Sequence, residues 1–316
     1  MSPILVVGSV ALDSVETSEG KSSEALGGSA VYFSLAAQLF APVEMVGVVG
    51  SDFPDEYRSL LESRGIGLGG LKVVSGKTFR WAGRYGRNFN SAKTLSTCLN
   101  VFEAFRPELS DSQKSASVVF LANIDPELQR EVLSQMSRPR LVACDTMNYW
   151  ISSKRQALKE LLSRVDVFFV NEEEARRLTR ESNNCLAARR LADWGPLVIV
   201  IKKGEHGTLL LAGGRLHAFP AYPVEHVKDP TGAGDTFAGG FLGYLASGVD
   251  LKDVQRVKRA MLYGSVLASF NVEDFSTRRL EGIGLPAVES RYRDFLNLLA
   301  VGDDAVADGR PLTQAA

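Results

Sequence analysis

The sequence predicts an α/β fold, a mostly parallel sheet with helices on both sides, and three observations carry that prediction. The runs SVVFLAN, PRLVACD, VDVFFVN and PLVIVIK are short and almost wholly apolar, the pattern of strands buried on both faces. Helical stretches at Pro126–Met136, Lys154–Leu162 and Glu172–Leu178 separate them, so strand and helix alternate as in βαβ units. Each run also ends in a polar residue, Asn123, Asp145, Asn171 or Lys202, at the carboxyl edge where such sheets gather ligands.

Taken in order, ILVVGSVAL reads as one central strand with Asp13 at its exit. An apolar, small-residue helix from Ala30 to Leu39 follows, then the strand VEMVGVVG. Pro54 to Arg64 is predicted helical, with Tyr57, Leu60 and Leu61 on one face. LKVVSGKTFRWAGRYGRNFN alternates and is rich in Gly, which predicts a β ribbon over about 71–90, outside the parallel core. GTLLLAGGRLHAF reads as a hairpin, and helices are expected over Lys252–Phe270 and Val288–Leu299. The polar stretch 301–316 reads as a disordered tail.

Composition narrows the function classes. The chain has 316 residues, 45% apolar and 23% charged, enough for one large domain or two smaller ones. A formal net charge of −1 provides no global field for nucleic acid or an anionic membrane. The longest apolar runs are strand-length, short of the ~20 residues of a membrane span. The N-terminus lacks the basic segment of a signal peptide, and three widely spaced cysteines suit a reducing, cytoplasmic setting. The three histidines have no cysteine nearby, which argues against a Cys/His zinc site.

Two glycine patterns are decoys. GIGLGG at Gly65, Gly67 and Gly70 fits GxGxxG, but a helix precedes it and a strand follows, the reverse of the dinucleotide fingerprint, so it reads as a loop. GLKVVSGKT spaces Gly70 and Gly76 by five residues rather than a P-loop's four and continues into a strand.

The informative segment is DPTGAGDTFAGG, residues 229–240. Pro230 stiffens the approach, and Gly232 and Gly234 permit a tight turn whose N–H groups converge on one point. A helix is predicted from Thr236, so the turn forms an anion cradle at a helix N-terminus. Asp235 lies inside that cradle. A carboxylate there repels a bound phosphate, and general-base chemistry beside a phosphoryl group is a function that requires it.

This segment resembles the C-terminal signature of the ribokinase-like (PfkB) carbohydrate kinase family, and four further stretches match in the family's order. VVGSVALD is similar to the first strand, in which Asp13 would hold substrate hydroxyls. LGGSAVYFSLAAQL resembles the N-terminal signature, with Gly27 and Gly28 against the sugar. NEEEARRLT resembles the N-x-x-E motif, Asn171 and Glu174, which orders Mg²⁺ and phosphate through water. VIKKGEHG is similar to the segment that meets the nucleotide, around Lys202, Gly204 and Gly207.

The resemblance spans about residues 4 to 300. It implies a three-layer α/β/α sandwich with a small β lid in a single domain over 1–300. It also implies transfer of the γ-phosphoryl group of ATP to a hydroxyl of a sugar or sugar-like molecule. Asp235 would be the base, and the N–H groups of Gly232, Ala233, Gly234 and Asp235 would stabilise the developing charge. Thr231 and Asn271 would lie on the nucleotide side. Asp229 is the residue by which many relatives hold a monovalent cation, and Ser276 near the usual place of a Gly leaves K⁺ activation open.

Two departures concern the substrate. Tyr32 and Ala11 replace asparagines common in sugar kinases, which loosens the reading toward other polyols, cyclitols or nucleosides. Tyr32, Phe33 or Trp81 could then supply an aromatic wall for a base. Asn123 with Asp125, Arg80 with Asn90 in the lid, and Asp145 with Asn148 complete the substrate-side candidates. The expected partners are a small-molecule substrate and ATP, with a homodimer left open.

Overall fold

The first strand, Ile4–Val7, sends Ile4 and Val6 into one hydrophobic core and Leu5 and Val7 into another. This period of two is why the strand is apolar throughout: it is covered on both faces. The computed structural model describes residues 2–86, 89 and 92–300. The tail at 301–316 and the lid candidate Asn90 lie outside them.

The strands are β1 (Ile4–Val7), β2 (Ala11–Thr17), β3 (Gly20–Gly27), β4 (Val43–Gly50), β5 (Ile66–Val74), β6 (Phe79–Tyr85) and β7 (Ala92–Cys98), followed by β8 (Val118–Leu121), β9 (Leu141–Cys144), β10 (Val167–Asn171), β11 (Val198–Lys202), β12 (Thr208–Ala212) and β13 (Arg215–Phe219). Nine form one sheet in the order β13-β12-β11-β10-β9-β8-β1-β4-β5. It is parallel from β5 to β11, and β12 and β13 close it as an antiparallel hairpin. Helices Ser29–Ala37, Ala233–Ala246, Val254–Asn271 and Leu285–Leu299 pack on one face. Helices Pro126–Gln135, Arg155–Leu162, Glu172–Thr179 and Asn184–Ala192 cover the other. The result is the expected three-layer sandwich. Chain order reverses between β1 and β8, the place where open α/β sheets bind ligands.

The remaining four strands form a separate sheet in the order β3-β2-β6-β7, the lid. Here the structure corrects the sequence reading twice. ILVVGSVAL is not one strand. The chain leaves the main sheet at Gly8–Ser9, where the Ser9 carbonyl accepts from the Ala30 N–H at 3.1 Å. It enters the lid at Ala11, so Asp13 is a lid residue paired with Trp81. GIGLGG is not a loop either: it is most of β5, the edge of the main sheet, and β5 runs on through Val74. The ribbon expected over 71–90 therefore divides between the main sheet and the lid.

Candidate active site

At the carboxyl edge of the main sheet, Gly232 starts the helix Ala233–Ala246 from a left-handed conformation with φ 74°. A Cβ here would lie 2.3 Å from the Tyr32 ring, so only glycine lets the turn settle on that ring. The helix begins three residues earlier than its sequence pattern indicated, which puts Asp235 in its first turn. Of the expected N–H donors, that of Ala233 turns back to the Pro230 carbonyl at 3.1 Å. The N–H groups of Gly232, Gly234 and Asp235 are then the ones left to form the cradle.

Tyr32 is not the wall the sequence left open. Its ring is buried beneath Gly232, and its hydroxyl is sealed from solvent without a hydrogen-bond partner among the described residues. Phe33 is also excluded, fully buried and stacked on Phe120 at 4.4 Å.

Asp13 is buried, and a Cβ at Gly27 would stand 2.0 Å from its Oδ2, which is why that position is glycine. The Gly28 N–H donates to the same carboxylate, and Gly28 itself starts the helix Ser29–Ala37. Burial raises the Asp13 pKa to about 7, with Asp229 and Asp235 adding to the rise and the Gly28 bond opposing it. Asp235 is likewise raised to about 7, by burial first and then Asp145, against the pull of Lys202. Asp235 thus stands close enough to Asp13 to oppose its ionisation.

On the side expected for the nucleotide, Lys202 ends β11 and its Nζ lies 2.7 Å from Asp145 Oδ2. Burial alone would lower the Lys202 pKa, but Asp145, with Asp235 and Glu174 behind it, raises it. The ammonium also occupies the space a Cβ at Gly234 would need, 2.9 Å away, so it reaches the Gly-rich turn. Asn171 and Glu174 form a capping box: Asn171 Oδ1 accepts from the Glu174 N–H and Glu174 Oε2 from the Asn171 N–H, both at 2.8 Å. Burial, then Asp145, pushes the Glu174 carboxyl well above the usual range. Gly204 and Gly207 shape the short turn from β11 into β12.

Asn271 is a strut rather than a ligand contact. It is fully buried, donates to the Thr231 carbonyl at 2.8 Å and accepts from Thr236 at 3.2 Å. Asp229, also buried, accepts the N–H of Thr231 at 2.9 Å and of Ser276 at 3.0 Å. Burial raises its pKa. Ser276 adopts the left-handed φ of 56° that a glycine would favour.

The lid meets the turn directly, since the Thr231 hydroxyl donates to Tyr85 Oη at 3.3 Å. Arg80 does not join the site. Its guanidinium binds Glu24 at 2.7 Å and Asp52 at 2.8 Å, and strand alternation turns it away from the face that carries Trp81. Asn123, two residues past the end of β8, has a buried Oδ1 without a hydrogen-bond partner among the described residues. Asp125 caps the helix Pro126–Gln135 and pairs with Lys154 at 2.6 Å. Asn148 faces Glu173 and Arg177 rather than the cleft. Sequence reading placed Asp145 among the substrate-side candidates rather than beside Lys202, and did not see the Tyr85 contact. The signal for Asp145 was its place at the end of a strand, shared with Asn171 and Lys202.

The chain is similar to known proteins in sequence and in fold. The family model described as pfkB family carbohydrate kinase matches residues 1–281. The chain is similar to a cytidine kinase of Thermococcus kodakarensis, 31% identical over 264 residues that cover 81% of this chain and 93% of that one. It is similar to a nucleoside kinase of Methanothermobacter thermautotrophicus, 29% identical over 307 residues, 87% of this chain and 91% of that one. The crystal structure of a Methanocaldococcus jannaschii nucleoside kinase, described as an archaeal member of the ribokinase family, has the same fold. It superposes with a TM-score of 0.74 at 21% identity, over 93% of this chain and 99% of that one. The glycine-rich turn with its carboxylate, the N-x-x-E capping box and the lid are therefore read in a chain that belongs to the pfkB family of carbohydrate kinases, and it is a phosphotransferase.

Proposed function

We propose that this kinase moves the γ-phosphoryl group of ATP to a hydroxyl on the sugar ring of a nucleoside, with Asp235 as general base. The observation that carries the reading is Asp235 in the first turn of a helix whose N-terminus is open to phosphate, within electrostatic reach of Asp13. Asp13 accepts from the substrate's hydroxyls, and Gly27 and Gly28 let the sugar approach. Asp235 removes the proton from the acceptor hydroxyl as its oxygen bonds to the γ-phosphorus. The bond from that phosphorus to the β,γ-bridging oxygen breaks, and ADP leaves with the electron pair. A base with a pKa near neutrality is well matched to this task. The Gly232 and Gly234 N–H groups and Lys202 face the charge on the transferred group.

Glu174 suits Mg²⁺ held through water: Oε2 is taken by the Asn171 N–H, and Oε1 accepts no hydrogen bond among the described residues. Among the described residues no cluster of acidic, His or Cys side chains is arranged to hold a metal by itself. Bound there with the phosphates, Mg²⁺ supplies charge neutralisation. Asp229 has no ion-pair partner among the described residues, so a K⁺ ion there would offset a buried charge. We place the enzyme in the cytoplasm on its three free cysteines.

The nucleoside form of the acceptor is favoured by the relatives' names and by the loss of two amide side chains at Ala11 and Tyr32. The test is product analysis with Mg-ATP and, in turn, the common ribonucleosides, D-ribose and myo-inositol. Nucleoside monophosphate is expected. Phosphorylation of a free sugar or cyclitol alone overturns the nucleoside acceptor.

A further inference from the structure

We infer that Trp81 is the platform on which the planar base of the substrate stacks, and so the residue that separates nucleosides from free sugars. The inference rests on the nucleoside reading above and deepens it. Along β6, residues 81, 83 and 85 share one face of the lid. Tyr85 identifies it as the face turned to the cleft, because its Oη meets Thr231 in the Gly-rich turn. Trp81 is in register with Asp13 on the adjoining strand β2, so the indole and the hydroxyl-holding carboxylate stand side by side on that face.

The indole is seated there. A Cβ at Gly83 would fall 2.2 Å from its six-membered ring, so the ring lies over the one position on the strand without a side chain. Its Nε1 donates to Thr94 Oγ1 at 3.4 Å on β7, the strand that pairs with β6, which steadies the ring. Trp81 is half-buried, leaving part of its surface free, whereas Tyr32 and Phe33 are sealed in the core. A sugar ring anchored on Asp13 therefore carries its base to the neighbouring strand, where the indole waits. Free ribose reaches Asp13 and gains nothing from the platform.

The experiment compares kcat/KM for ribonucleosides and D-ribose, and KM for Mg-ATP, in wild type, Trp81→Leu, Trp81→Phe and Gly83→Ala. Trp81→Leu is expected to lower kcat/KM for the preferred ribonucleoside about 10- to 100-fold, the range of one base–aromatic stack. D-ribose turnover and the KM for Mg-ATP should stay near wild type. Trp81→Phe should recover most of the loss, and Gly83→Ala should reproduce part of it by lifting the indole without removing it. A wild-type protein that phosphorylates no ribonucleoside overturns the acceptor reading and the platform together. Ribonucleoside turnover that survives Trp81→Leu, or falls no more than D-ribose turnover and in step with a raised KM for Mg-ATP, overturns the platform and leaves the acceptor reading standing.

Discussion

Lys202 and Asp145 close a buried ion pair, Nζ to Oδ2 2.7 Å, with side-chain exposures of 15% and 6%. The two residues sit at the ends of β11 and β9, one strand apart, and the pair presses against the turn that carries Asp235. A buried pair is weak evidence for stability, since its desolvation offsets much of the attraction, yet breaking it strands a charge. Its position against the turn is what ties it to function.

Asp145→Ala should therefore destabilise the fold by about 3–5 kcal/mol and raise the KM for Mg-ATP. Asp145→Asn with Lys202→Met should recover most of the stability and none of the ATP affinity. Denaturant melts and initial rates on the single and double variants check this. Recovery of both would make the pair purely structural.

Tyr32 gives a prediction of opposite sign for stability and binding. Its hydroxyl is buried with no partner among the described residues, so Tyr32→Phe should stabilise the unliganded enzyme by roughly 1 kcal/mol. If the hydroxyl is held for the substrate, the same change raises the substrate KM while leaving that for ATP alone. A thermal melt and two KM values suffice, and a KM that does not move assigns Tyr32 to support of Gly232 alone.

Asp13 predicts a pH-dependent stability. Burial lifts its pKa from 3.8 to about 7 in the folded protein. Between those values the folded state keeps a proton that the unfolded chain has lost, so stability falls as pH rises through this window, by at most about 4 kcal/mol. Asp13→Asn should then raise the melting temperature at pH 8 and change it little at pH 5, while raising the substrate KM steeply. An equal shift at both pH values would mean that ionisation of Asp13 is not what strains the fold.

The parallel sheet and the Gly-rich turn were legible because their signals are local: apolar runs at strand spacing, and Asp235 among glycines. The lid's boundaries were not. Gly8 and Ser9 look like the middle of a strand, and only the distant Ser29 and Ala30, bonded to Ser9, show that the chain leaves the sheet there. GIGLGG looked like a loop because its glycines answer to a neighbour rather than to a turn. A Cβ at Gly67 would lie 2.1 Å from Glu44 Oε2, and one at Gly70 2.7 Å from Gln113 Nε2. Arg80 was misread for the same reason, since its partners Glu24 and Asp52 come from other elements of the fold.

The most direct test of the account is the kcat of Asp235→Asn on the true substrate, measured beside its affinity for Mg-ATP. Asparagine keeps the shape of the side chain and cannot take the hydroxyl proton. The account predicts that kcat falls by at least about 10²–10⁴-fold, the worth of general-base action, while ATP binds nearly as before. It also predicts that the wild-type rate declines as pH drops below about 7, where Asp235 takes up its proton. A variant that keeps more than about a tenth of wild-type turnover would contradict it, because the proton would then have another destination.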